Sequence, residues 1–396
     1  MGCRRRLCWL WLALALTGCE SLPDAGTSGE PDGLVQDSGD ELPSGSFAGP
    51  QGVAVARGLA FVANPNYRYS GQSLVYGKGF VTIVRLADGT VIDRVPTGAR
   101  NPQAVVASGD RVVVLCSGAT FFDGSVVLPQ GDGSVLVLDA AEADAGRPSL
   151  VREIPLPRSL VHPMVGYPSS ITLVLGASRA WLGSGTSPVL FLVDLDGGQV
   201  LRGADDPVVL GDTGVQDTIV VRSGAEQILM VGRFESDEVL LLDAVTGAPV
   251  QSHLQPFGVG SPGQMDGVLD IVERPGGSPD IFALLGLASS VAAIDSTRGL
   301  AGVHNGFAGT WLSPNRIVLD RDRLLVVNSG DNNITAIDAT AGTSLGKVAI
   351  LPVGTNPYDI ALFVEGSRRL AVITGQKSQS LYVVDLDDGV VVREVR

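Results

Sequence analysis

The stretch VVNSGDNNITAID, Val326 to Asp338, reads as one strand, a polar corner and a second strand that ends on an aspartate. After Asp338 comes Ala-Thr-Ala-Gly, turn chemistry in which Asp accepts local backbone N–H bonds and Gly takes positive φ. The same ending recurs along the chain as SVLVLD139, LFLVD194, VLLLD243, VAAID295 and LYVVD385, with FVTIVR85 a divergent first copy. The steps between these ends are 54, 55, 49, 52, 43 and 47 residues. A period of this length, repeated through the chain, decides the fold before any single residue does.

Each unit holds an extended apolar segment after a corner, a second strand, a third strand ending in Asp, a tight turn and a fourth strand. Such a unit cannot bury both faces without neighbours. Four antiparallel strands in each of seven units predict an all-β, seven-bladed β-propeller over residues 47–396. Composition agrees: 45% apolar, only 5% aromatic, with 51 Gly and 23 Pro, a chain rich in turns and poor in long helices. The repeat resembles the YVTN group of β-propeller proteins. VVNSGDNNITAID, PVGTNPYDIA (Pro352 to Ala361) and PTGARNPQAVV (Pro96 to Val106) carry the resemblance. It spans all seven units and is sharp in the first, second, sixth and seventh. The third and fifth depart from it, the fifth around QMDGVLDIVERPGG.

The first 46 residues are of another kind. Arg4 to Arg6 form a basic flank, and LCWLWLALAL (Leu7 to Leu16) is an apolar run too short to span a bilayer. It ends in Leu16-Thr17-Gly18-Cys19, which resembles the lipobox of bacterial lipoproteins. That resemblance implies a signal peptide over 1–18 and a diacylated Cys19 as the new N-terminus, with acyl chains such as palmitate. Met1-Gly2 is no myristoylation signal, since Arg6 stands where Ser or Thr is required. Residues 20–50 carry seven acids and no Lys or Arg among many Gly, Ser and Pro, so 19–46 reads as an acidic, solvated tether. The expected address is the bacterial envelope, at the outer membrane or cell surface, with the lipid anchor as the only membrane contact. Glu20 occupies the place where an inner-membrane retention signal has Asp.

With 42 acidic and 28 basic residues the formal charge is -14. Loss of Arg4, Arg5 and Arg6 with the leader makes it more negative. Such a field repels phosphate backbones, which excludes nucleic acid as a partner. Beyond the leader and Cys19 only Cys116 remains, so neither a disulfide framework nor a cysteine zinc site is available. His162, His253 and His304 are far apart in sequence, and no Ser-His-Asp or HExxH arrangement appears. No catalytic residues are assigned, no cofactor is called for, and the chain is expected to act as a monomer.

Two places can carry recognition. Aligning the corners before each inner strand puts Gln51, Gln103, Ser169, Gln216, Asp266, Asn315 and Tyr358 at one position. Gly52, Ala104, Ser170, Asp217, Gly267, Arg316 and Asp359 stand at the next. This predicts a polar ring at the mouth of the central channel. The second place is the pair of long loops Asn64 to Gly79 and Ser117 to Gly133. Tyr67, Arg68, Tyr69 and Tyr76 with Phe121 and Phe122 have the aromatic-plus-Arg composition of a patch for a protein or glycan. The expectation is a binding or scaffolding module acting through its loop face. The alternative is a metal-assisted, lactonase-like hydrolase, with Asp217, Asp266, Asn315 and Asp359 as oxygen ligands for a divalent cation.

Overall fold

The computed structural model describes residues 42–396 except 71–72, 119, 123–126, 130, 159–167, 175, 224–225, 251–254, 310 and 350–354. The leader, Cys19 and most of the acidic segment lie outside the described residues. The rest forms seven blades, each built on four antiparallel strands in sequence order from the channel outward, with Val208–Val209 added to the third strand of blade three and two short two-stranded hairpins beside the blades. Blade one runs through Val53–Ala56, Leu59–Asn64, Phe80–Arg85 and Thr90–Pro96. Blade seven runs through Pro357–Glu365, Arg368–Gly375, Ser380–Asp385 and Val390–Val395. The inner strands touch one another around a closed ring.

Strand position dictates side-chain pattern. The second and third strands of a blade are covered on both faces by neighbouring blades, so they read as continuous apolar runs. LAFVAN (Leu59–Asn64) is buried at every position. The outer strand TVIDRVP alternates toward solvent and buries little. Seven apolar clusters follow, one at each junction between adjacent blades. The largest buried side chain, Trp181, fills the junction of blades three and four, and its Nε1–H donates to the Ala244 carbonyl at 2.7 Å.

Ring closure takes no shared strand. Blade seven is completed by its own residues, and the junction back to blade one is a packed interface. Val53, Val62 and Val84 meet Val372, Leu381 and Val383 there, with Phe47 added from before the first strand. Each fully buried Val, Leu or Phe of this kind is worth about 1.5–3 kcal/mol relative to exposure. Hydrogen bonds tie the two ends: Ser46 Oγ donates to the Arg396 carbonyl at 2.9 Å, and Arg393 donates to the carbonyls of Leu86 and Ala87. Pro43 also accepts from Arg94, so the contacts of the ordered body begin a few residues before Phe47.

The aspartates that end the third strands build turns. Asp194 Oδ1 accepts from the backbone N–H of Asp196 and Gly197, Asp243 from Val245 and Thr246, Asp338 from Thr340 and Ala341, and Asp385 from Asp387 and Asp388. Asp139 instead caps the short helix Ala140–Asp144. Bonds to the ionised form hold three of these groups below the usual carboxylate range: the Thr246 and Thr340 hydroxyls foremost for Asp243 and Asp338, and the Asp388 N–H with Arg368 for Asp385.

The corners on the opposite end of the blades share a second device. Asn101, Ser313 and Asn356, each preceding a proline, adopt left-handed φ of 58°, 50° and 48°. The Asn side chain tolerates this region better than most. Each of their carbonyls accepts the N–H of the residue that leaves the second strand, Ser117, Ser329 or Gln376. That closure brings the side chains of these three residues to the channel mouth.

Candidate functional site

The inner strands of blades two, four, five, six and seven each carry a bulge near their start, and the bulged residue points the ring position into the channel. Gln103, Gln216, Asn315 and Tyr358 occupy that position as expected from sequence, and Gln51 and Ser169 join them in the wall of the channel mouth. Blade five differs from the expectation. Its register, with Val268 opposite Leu285 and Asp270 opposite Leu284, makes Leu269 the ring residue and Asp270 its successor. Asp266 therefore stands outside the ring. It sits in the connection from blade four, where its Oδ2 accepts from Ser261 N–H and its own N–H donates to Asp237 Oδ2 at 2.9 Å.

With blade five corrected, the position after the ring holds Asp217, Asp270, Arg316 and Asp359 in blades four to seven. The three carboxyl groups are alike in use. Asp217 Oδ2 accepts from Ile271 N–H at 3.1 Å, Asp270 Oδ2 from Ile317 N–H at 2.7 Å, and Asp359 Oδ2 from Val53 N–H at 2.9 Å. Each thus links its own blade to the next. In blade one the equivalent residue is Gly52, because the Gln103 carbonyl lies 2.5 Å from where a Cβ would stand. The other carboxylate oxygens face Arg316. Its Nη1 is 3.1 Å from Asp270 Oδ1 and 3.8 Å from Asp217 Oδ1, and its Nε is 3.1 Å from Asp359 Oδ1. One guanidinium serves three carboxyl groups.

Burial pushes the Asp270 carboxyl well above its ordinary 3.8; Arg316 pulls it back and neighbouring Asp217 pushes it further up. The same carboxylates hold Arg316 even more firmly protonated, Asp270 foremost. Burial and Asp359 raise the Tyr358 hydroxyl to about 12, so it remains a donor. A raised carboxyl means that the folded chain keeps a proton the unfolded chain has released. Stability therefore falls as pH rises from about 4 through the raised Asp270 value. Buried Asp237 and half-buried Glu273 act in the same sense. Asp270→Asn should make this fall shallower without removing it, in urea midpoints followed between pH 4 and pH 8.

Above the ring the amides are set by hydroxyl bridges. Gln103 Nε2 donates to Ser117 Oγ, which donates to the Pro168 carbonyl just before the ring residue of blade three. Blade six repeats this, with Asn315 Nδ2 to Ser329 Oγ to the Pro357 carbonyl. Blade seven has Gln376 at the serine position, buried, with neither side-chain polar atom partnered among the described residues. Gln51, on the same junction, is 5% exposed and its Oε1 also lacks a partner there.

The two places singled out in the sequence meet. The long loop of blade one forms a hairpin, Tyr67–Ser70 with Ser73–Tyr76, pairing Tyr67 with Tyr76. It lies beside the blade-two strand Thr120–Phe122. Tyr67 and Tyr76, with ring centroids 6.3 Å apart in an edge-on arrangement, fold over the channel and line one cavity with the ring. Its volume is about 210 Å³. Arg100 donates to the Tyr76 carbonyl and steadies the hairpin. Arg68 is exposed on the hairpin's far side and is not part of the cavity wall. Tyr69, Phe121 and Phe122 belong to these strands as backbone; their side chains lie outside the described residues.

The chemistry on offer is donor and acceptor groups, aromatic rings and a charge cluster that one guanidinium only partly neutralises. His162 and His253 lie outside the described residues, and His304 packs against Phe307 on the outer strand of blade five. Cys116 is fully buried, and that burial pushes its thiol up to about 12, which leaves it unreactive. Among the described residues no three His, Cys, Asp or Glu side chains are arranged to hold a metal ion.

No family model matches the sequence, and no curated protein does. Among solved structures the chain is similar to a streptogramin B lyase, at 14% identity over 85% of this chain and 93% of that one, with a TM-score of 0.58. It is also similar to the computationally designed Ika8 protein, at 13% identity over 88% of each chain, with a TM-score of 0.47. At such identity the likeness to the lyase is one of fold, since propellers host unrelated functions.

Proposed function

We propose that the protein is an exported, lipid-anchored propeller of the YVTN type that binds a small polar ligand at its channel mouth. The observation that carries this reading is the cavity itself: amides from Gln51, Gln103, Gln216 and Asn315 converge with Tyr358 beneath the Tyr67 and Tyr76 hairpin. Sites of this kind combine apolar walls with a few placed polar groups. The ligand would be a free small molecule or the end of a glycan or peptide on a larger partner. The lipobox and acidic tether support presentation at the envelope. On a flexible coil of about 27 residues, the cavity would stand roughly 30 Å from the anchor on average.

Binding is favoured over hydrolysis because the carboxyl groups that could ligate a cation or take a proton are engaged. Asp270 and Asp359 each spend one oxygen on a backbone N–H and another on Arg316. A divalent cation would have to displace that guanidinium. The neighbour that acts on streptogramin B is an enzyme on the same fold, and an elimination or hydrolysis here would need a base in reach of the cavity.

The test is a thermal-shift screen of the full chain against monosaccharides, amino acids and polyols, repeated with Gln103→Ala and Tyr76→Ala. A ligand present at 100 times its dissociation constant adds about 2.7 kcal/mol to stability. Shifts lost in both variants support the reading. Shifts that survive both, or a hydrolysed probe recovered after incubation, count against it.

A further inference from the structure

We propose that the ligand of the channel mouth is a small organic ammonium, held by its N–H donors and its positive charge. The inference rests on the binding reading above and names its ligand class.

Charge comes first. Asp217, Arg316 and Asp359 line the cavity and Asp270 stands behind them on Arg316, so three carboxyl groups answer one guanidinium and even with one of them protonated an excess of negative charge remains. Asp217 is the least neutralised of them, its Oδ1 standing 3.8 Å from Arg316 where the others stand at 3.1 Å. It lines the cavity. The chain as a whole, at -14, draws cations toward any mouth it presents.

Hydrogen bonding points the same way. Gln51 lies in the cavity wall, is 5% exposed, and has a side-chain oxygen with no donor among the described residues. A buried acceptor left unmatched is costly, and a ligand N–H would supply what is missing. The roof completes the set. Tyr67 and Tyr76 both line the cavity, and aromatic rings attract ammonium groups. A neutral polyol would match Gln51 but leave the charge unanswered. An anion would meet Arg316 but add to the excess of negative charge and leave the Gln51 oxygen without a donor.

The experiment titrates the full chain calorimetrically with ethanolamine, putrescine and glucosamine, and with their neutral twins ethylene glycol, 1,4-butanediol and glucose, in which hydroxyls replace the ammonium groups. At least one amine should bind about tenfold or more tighter than its twin, with an affinity that falls as salt is added. Asp217→Asn should weaken the amine severalfold and leave the twin unchanged, and Gln51→Ala should weaken both. Equal binding of twin and amine overturns the ammonium assignment while the cavity stands as a binding site. Amine binding that is indifferent to Asp217→Asn and Gln51→Ala also overturns it. If nothing in the panel binds, the assignment falls, and the wider screen with Gln103→Ala and Tyr76→Ala decides the fate of the site separately.

Discussion

Replacing Arg316 by Met destabilises the propeller by roughly 1–3 kcal/mol, less than the about 3–5 kcal/mol lost from a fully buried ion cluster, because the guanidinium is 39% exposed while its carboxyl partners are buried. The reason lies in what is left behind. The Asp217, Asp270 and Asp359 side chains are only 7%, 3% and 10% exposed, and without the guanidinium they face one another across the channel. Their backbone donors remain, so each keeps one bond to the next blade. The unmatched oxygens then recover only by taking up protons. The loss is therefore larger at pH 8 than at pH 5, because removing Arg316 takes away the charge that pulls the raised Asp270 carboxyl down, and the folded variant keeps a proton that the unfolded chain has released. Urea midpoints at the two pH values measure it. Adding Asp270→Asn to Arg316→Met restores part of the stability, since it removes one of three like charges. A variant within about 0.5 kcal/mol of the parent, the range of an ordinary surface change, would mean that solvent already screens the cluster.

The sequence carried this cluster in plain view without disclosing it. Asp217, Arg316 and Asp359 were aligned on neighbouring blades, yet nothing local says that one guanidinium reaches three carboxyl groups. The partners are up to 99 positions apart (217 to 316), and only closure of the ring brings them together. Asp270 was missed for a more instructive reason. Asp266-Gly267 imitates the Gln51-Gly52 of blade one, so the corner of blade five looks complete three residues too early. The better signal was the triplet after the corner: Gln216-Asp217-Thr218 and Tyr358-Asp359-Ile360 share an aspartate followed by a β-branched residue, and Leu269-Asp270-Ile271 belongs with them. An apolar ring residue hid it. By contrast the blade count was legible because the turn aspartates act locally: Asp338 contacts residues two and three positions ahead, and such a device repeats in sequence whenever it repeats in space. The meeting of hairpin and ring was not legible, since composition does not say which way Tyr67 and Tyr76 fold.

On the lipoprotein reading proposed above, changing Cys19 to Ala should abolish incorporation of labelled palmitate, and the chain should then keep its leader and migrate as the larger precursor. The argument is one of transfer energies. Burial of each CH₂ is worth about 0.8 kcal/mol, so one acyl chain gives only reversible membrane binding, whereas two or more give a lasting anchor. All of that depends on a single sulfur and the amino group that cleavage exposes. A second variant separates anchoring from export: with an Ala-x-Ala cleavage site in place of Leu16-Thr17-Gly18-Cys19, the leader is removed and no lipid is added. That chain should leave the membrane pellet for the soluble fraction almost completely. No helix of the described residues is long and apolar enough to cross a membrane, and the formal charge disfavours anionic headgroups. The described body begins at residue 42, more than twenty residues beyond Cys19, so its packing is untouched and its thermal midpoint should match the parent's. A processed, unacylated chain that still sediments with membranes would move the anchor from the lipid to the propeller itself, and the exposed valines of its last outer strand, Val390 to Val392, would be the first surface to change.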